Sequence, residues 1–214
     1  DGQLQAILDE AGLSDVCSAQ ACRQVILASV MPSVALALRG FEEVAREAAR
    51  VGFPAIFHNS APSVERLIEV AEKYPSANIV AGHSNHPMFL PDESVSFARE
   101  LRKRGVTIDV STLDSIQTRW RNNPANFDAL IEAGCVDTIS TDYAGGHWDS
   151  ILVAIQRIVR KKQMPPAAAV ALATGNVARA FPQLAGDRGL IEKGRRADLV
   201  IVDHVNLGRV RHVI

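Results

Sequence analysis

Three segments of this chain run from apolar residues straight into a side chain able to bind a metal. Residues 53–57 (FPAIF) lead into His58, residues 78–82 (NIVAG) into His83, and residues 136–141 (VDTIST) into Asp142. Two neutral imidazoles and a carboxylate can share one divalent cation. A cation held that way lowers the pKa of water toward about 7 and polarises an oxygen under attack. The chemistry indicated is metal-dependent hydrolysis. Each residue also has a plain structural reading. His58 serves equally as a loop histidine bonded to backbone, and Asp142 as the cap of the helix that follows. A carboxylate directly after Ile139, Ser140 and Thr141 is costly to bury without a partner, and a metal is a natural one.

Further candidates surround these three. His83 stands in GHSNH, where Gly82 allows close backbone approach, and His86 follows three residues on. His83 ends the strand and is the better ligand. His86 either meets substrate, stacks in its loop or does neither. After Asp142, Gly145 and Gly146 offer backbone N–H groups to an anionic substrate, or simply turn the chain, and His147 is beside them. Asp109 lies mid-strand in VTIDVST and faces either an interior or a supporting position. Nucleophile-elbow, dinucleotide-binding and P-loop signatures are all absent from the sequence.

The elements that must position these residues alternate regularly. Strands are expected at 53–58, 78–83, 106–111 and 136–141, with helices at 62–74, 92–104, 113–133 and 148–162 between and after them. Ser63 and Glu65 open the first of these helices, and Asp92 is the expected N-cap of the second. The strands are short, β-branched and apolar, as in a parallel sheet covered on both faces. Residues 3–12 and 41–51 read as helices stopped by Gly12 and Gly52. Residues 25–31 (VILASVM) read as either a buried strand or a helix, since periodicity does not separate the two. A helix over 165–180 opens on Pro165-Pro166, and strands at 197–203 and 210–214 form a separate β element.

Composition narrows the rest. The chain has 214 residues, 47% hydrophobic and 22% charged, with net charge −1. No basic run suggests nucleic acid. The longest apolar-rich stretch, residues 25–38, is interrupted by Pro32, so no membrane span is expected. Cys17, Cys22 and Cys135 cannot all pair, and no signal peptide is visible, which suits the cytoplasm. A small-molecule substrate is the expected partner, and a homo-oligomer is compatible with the composition.

The tail carries a resemblance. ATGNVARAF at 173–181, followed by RGLIEKGRRADLVIVD at 188–203, resembles the amidohydrolase superfamily, whose last barrel helix leads through such a turn into a small β-sandwich. The resemblance covers residues from about 41 to 214. It implies that His58 and His83 are the metal-binding histidines ending the fifth and sixth barrel strands. Asp142 becomes the eighth-strand aspartate, which binds metal and shuttles protons. The implied cofactor is a divalent metal, zinc first, with manganese or iron as alternatives and one or two ions. The implied reaction is hydrolysis of an amide, cyclic amide or related C–N bond. RGLIEKGRRADLV and STDY also resemble phosphonate-pathway diphosphatases of the same superfamily, and deamination uses the same ligands.

The chain departs from the family pattern at two points. It has no H-x-H pair, and no lysine precedes Lys73. The expected fold is therefore α/β, a partial (β/α)8 TIM-type barrel made of its late strands, with the start of a small C-terminal β-sandwich. The expected division is barrel over 1–182 and sandwich return over 183–214, with the N-terminal strands missing. A non-catalytic subunit or fragment is the rival these absences favour.

Overall fold

Short apolar strands that alternate with amphipathic helices suit a parallel sheet, and a computed structural model of the chain holds one, with Ile56 of its first strand 65% exposed, so the expected cover of both faces fails there. It describes residues 2–29, 33–113, 123–142 and 151–214. The chain divides into two compact units, Asp1–Gly40 and Phe41–Ile214.

In the first unit, α1 (Gly2–Glu10) ends before Gly12, whose φ of 67° is the left-handed turn expected there. Residues 25–29 belong to α2 (Ala19–Ser29) and are not a strand. They are not buried either: Val25 is 61% exposed and Leu27 50%. Helix α3 (Val34–Val51) starts well before residue 41 and ends at Gly52 as expected. The expectation of no span-length apolar stretch needs correction. By length and composition alone, Ala19–Val51 passes for a membrane span, and its apolar window is unburied.

In the second unit, β1 (Ala55–His58), β2 (Ile79–Gly82), β3 (Thr107–Ser111) and β4 (Thr138–Ser140) form one parallel sheet in that order. Helices α4 (Val64–Lys73), α5 (Pro91–Lys103), α6 (Ala125–Glu132) and α7 (Ile151–Arg160) follow the strands in turn. Every residue of β2 is buried. Helix α4 buries Val64, Leu67, Val70 and Ala71, the 3.6-residue stripe its sequence predicts. These meet Ile79, Ile108, Val110, Phe127, Leu130 and Ile158 in one apolar core. Asp92 is not the cap of α5. Leu90 holds that position, Pro91 opens the helix, and Glu93 accepts the Leu90 N–H at 2.9 Å.

The expected helix over 165–180 is two helices, α8 (Pro166–Ala171) and α9 (Gly175–Ala180). The break has a cause in the sheet. The Leu172 carbonyl accepts from Ile139 N–H of β4 at 3.1 Å, and Asn176 donates to the Asp137 carbonyl at 2.8 Å. Satisfying the Ile139 N–H of β4 takes the Leu172 carbonyl out of a continuous helix. A short helix α10 (Pro182–Ala185) follows. Strands β5 (Val200–Val202) and β6 (Val210–Val213) then pair antiparallel as a separate two-stranded sheet.

Candidate functional site

The site is built at the C-terminal ends of β1, β2 and β4. His58 is the last residue of β1 and pairs in register with Gly82, the last residue of β2. His83 therefore begins one step beyond its neighbour. It turns sharply there, with φ at 40°, a left-handed conformation uncommon outside glycine. The result is contact: His83 Nε2 and His58 Nδ1 are 2.7 Å apart. Ser63 holds the N-cap position of α4 as expected, but its hydroxyl makes no cap bond: it donates to the His58 carbonyl at 2.9 Å and accepts from Ser60 N–H at 3.1 Å. It ties down the strand end that carries the histidine.

His86 joins this pair. One ring nitrogen from each of His58, His83 and His86 can be chosen so that all lie within 4.8 Å of one another. His83 is buried, His86 partly buried and His58 exposed, so the group sits at the mouth of the strand ends. Asp142 stands outside that group. It lines the same cavity as His58, His83 and Asp109, a space of about 440 Å³ walled by Ile56, Val80 and Phe181 among others. Its φ of 47° is again left-handed, a conformation that aspartate tolerates better than most residues. Gly145, Gly146 and His147 lie outside the described residues.

Asp109 faces this interior. Its carboxylate accepts from the Thr138 hydroxyl at 2.8 Å and the Ser140 hydroxyl at 2.7 Å, joining β3 to β4. Its backbone carbonyl accepts from Ser84 N–H at 2.8 Å, beside the His83 turn. Burial pushes the Asp109 carboxyl up to about 6, against the opposing pull of those two hydroxyls.

Sequence reasoning missed a layer of buried asparagines beneath the histidines. Asn85 accepts from Ser111 N–H at 2.8 Å and donates to the Ser111 carbonyl at 2.9 Å, clamping the His83 loop to β3. Asn59 donates to the Ser84 hydroxyl at 3.0 Å. Asn126 donates to the carbonyls of His86 and Phe89, at 2.9 and 2.8 Å. The available signal was position: Asn59 and Asn85 each follow a strand-end histidine closely, where a buried amide is tolerated only with partners.

The donor set suits a metal. Zinc–nitrogen bonds of about 2.0–2.1 Å place the nitrogens of a tetrahedral site roughly 3.3 Å apart. The 2.7 Å pair would open by about half an ångström, and the spread of up to 4.8 Å would close by less than about 1.5 Å. Imidazole nitrogen suits zinc and iron, and an added carboxylate also admits manganese.

Comparison with known proteins agrees with this architecture. The model of the amidohydrolase family matches residues 25–213. No curated protein matches the chain in sequence. Among solved structures, the chain resembles a β-aspartyl dipeptidase from Fervidobacterium islandicum AW-1 in complex with a β-Asp-Leu dipeptide. The TM-score is 0.60 at 22% identity, covering 87% of this chain and 52% of that one. It also resembles a 5-methylcytosine deaminase from Klebsiella pneumoniae liganded with 5-fluorocytosine, with TM-score 0.57 and 20% identity, covering 83% of this chain and 50% of that one. An adenosine deaminase from Xanthomonas campestris with bound zinc gives TM-score 0.53 and 24% identity, covering 78% and 40%. These likenesses are of fold, and the chain spans about half the length of the structures it matches.

Proposed function

The chain belongs to the amidohydrolase family, and on that premise we propose that it supplies metal-binding and proton-transferring residues to an enzyme hydrolysing an amide, a cyclic amide or a related C–N bond. One observation carries this reading: His58, His83 and Asp142, from three separate strand ends, line a single cavity. In the proposal His58 and His83 hold a divalent metal, zinc first, with manganese or iron as alternatives. When bound, that metal supplies Lewis-acid polarisation and a lowered pKa for water. Asp142 joins the metal's ligands, accepts the proton of the attacking water and returns it to the leaving nitrogen. Gly145, Gly146 and His147 follow Asp142 in the chain and are the proposed substrate contacts. Residues 183–214 are proposed as the return into a small β-sandwich, with the barrel before them. The free Cys17, Cys22 and Cys135 suit a reducing compartment, and the cytoplasm is the proposed location.

Two considerations support C–N chemistry over phosphoester cleavage. The fold neighbours are described as a dipeptidase and deaminases, activities that break a C–N bond. The described residues that line the cavity are histidines, carboxylates, the Thr138 and Ser140 side chains and apolar side chains, with no lysine or arginine among them. Deamination is the second reading, favoured by the likeness to two deaminases.

The test is turnover by the full-length, metal-loaded protein on a β-aspartyl dipeptide, a dihydropyrimidine, cytosine, adenosine and an aryl phosphate. C–N substrates should react, and Asp142→Asn should lower kcat by roughly 10²–10⁴ while leaving the melting temperature nearly unchanged. Asparagine is chosen because it too tolerates the left-handed backbone. Turnover of the phosphate alone, or an undiminished Asp142→Asn enzyme, would overturn the reading.

A further inference from the structure

We infer that His86 is a third metal ligand, so that His58, His83 and His86 together form a tris-imidazole site. The inference rests on the metal-dependent reading above and deepens it. The nearest alternative for His86 is a substrate contact, which requires proximity to the cavity but no convergence of nitrogen atoms. Convergence is what the structure holds: one ring nitrogen from each of the three histidines comes within 4.8 Å of the other two.

Loop construction explains the convergence. The His86 N–H donates to the His83 carbonyl at 2.9 Å, and the Phe89 N–H donates to the His86 carbonyl at 3.1 Å. Two successive tight turns therefore carry both histidines. Asn85, between them, is clamped on both sides to Ser111 of β3. Asn126, only 6% exposed, holds the outer turn through the carbonyls of His86 and Phe89. Pro87 restricts the backbone of His86 itself. Little conformational freedom remains to be lost when the ring takes a ligand position, which is the arrangement a metal site needs.

Donor chemistry points the same way. Three neutral imidazoles with a fourth position open form a recurrent catalytic zinc set. Among the described residues, His86 is the one further imidazole grouped with His58 and His83. Asp142 lies outside that group and lines the same cavity as His58 and His83.

A specific consequence follows for the loop. The Met88 N–H donates to His86 Nδ1 at 3.2 Å. A metal on Nδ1 takes the lone pair that this N–H uses. A metal on Nε2 moves the ring proton to Nδ1, where it can no longer accept. In either case the Met88 contact breaks on loading.

The experiment is zinc titration of the full-length protein against a chromophoric chelator, with amide NMR on a sample labelled at Met88. The wild type should bind zinc, and the Met88 amide resonance should move as it loads. His86→Ala and His86→Gln should each weaken zinc affinity at least roughly tenfold with circular dichroism unchanged, which is about 1.4 kcal/mol. His86→Cys, which restores a ligand atom, should recover part of that loss. His204→Ala, an exposed histidine outside the cluster, should bind as wild type. If His86→Gln binds zinc as tightly as wild type, or the Met88 amide is indifferent to loading, His86 is not a ligand while the hydrolase reading stands. If the wild type takes up no zinc, manganese or iron, both fall together.

Discussion

Nε2 of His83 and Nδ1 of His58 approach to 2.7 Å across the ends of two neighbouring parallel strands. That is hydrogen-bond distance, which requires a proton on one of the two ring nitrogens. A metal held by both rings would take the place of that proton and would need a nitrogen from each. His58→Ala and His83→Ala should therefore each reduce zinc affinity at least roughly tenfold, and the double variant should cost much less than the sum of the two. Competition titration measures all three. Strictly additive losses would mean that the two rings do not share an ion.

Gly82, the last residue of β2, lies opposite His58 of β1. A Cβ added there would lie 2.9 Å from the Ile56 Cγ2 atom and 3.2 Å from the Phe57 carbonyl oxygen. The Ile56 side chain is 65% exposed and can swing away, whereas the carbonyl belongs to the backbone next to His58. Gly82→Ala should lower stability by about 1–3 kcal/mol in urea unfolding and loosen metal binding by displacing the end of β1. Adding Ile56→Ala should restore only part of the stability. A Gly82→Ala protein with wild-type stability and zinc affinity would show that the strand spacing does not set the histidine contact.

Glu42 is the hub of an ion-pair cluster outside the site. It meets Lys73, and Arg66 at 2.6 Å. Lys73 first, then Arg66, hold its carboxyl down at about 2, below its ordinary 4.5. A carboxyl depressed in the folded state stabilises that state fully above its unfolded pKa and loses the effect as pH falls through the folded one. Wild type should therefore exceed Glu42→Gln in urea midpoint at pH 7, with the gap closing between about pH 4.5 and 2. Added salt should narrow it at pH 7, because these groups are partly solvent-exposed. A gap that stays constant down to pH 2 would remove the electrostatic account.

Much of this architecture is written locally in the chain. The four sheet strands read directly from short apolar runs, because strands of a helix-covered parallel sheet carry few polar residues, although β1 leaves Ile56 and His58 exposed on one face. Helix α4 read from its buried stripe, and Gly52 from the need for a left-handed stop. Where competing local signals met, the reading slipped. Residues 25–29 suit a strand or a helix equally well by composition, and helix won. Asp92 looked like a cap, yet Pro91 one residue earlier favours the first helical turn and moves the cap to Leu90.

The types of side chain at the strand ends, His58, His83 and Asp142, and the close approach implied by Gly82, were determined by the sequence alone. Which of those side chains come together was decided by the tertiary structure. Pairing of His58 with Gly82 brings one ring against another, and the asparagine clamps of the 83–89 loop turn His86 toward them. The partners of Asp109 lie about thirty residues away, on β4, and the break after α8 answers to a backbone group of that same strand. Hydrophobic period and turn chemistry act over a few residues, so they are legible in one dimension. Register and long-range hydrogen bonds exist only after distant segments have met.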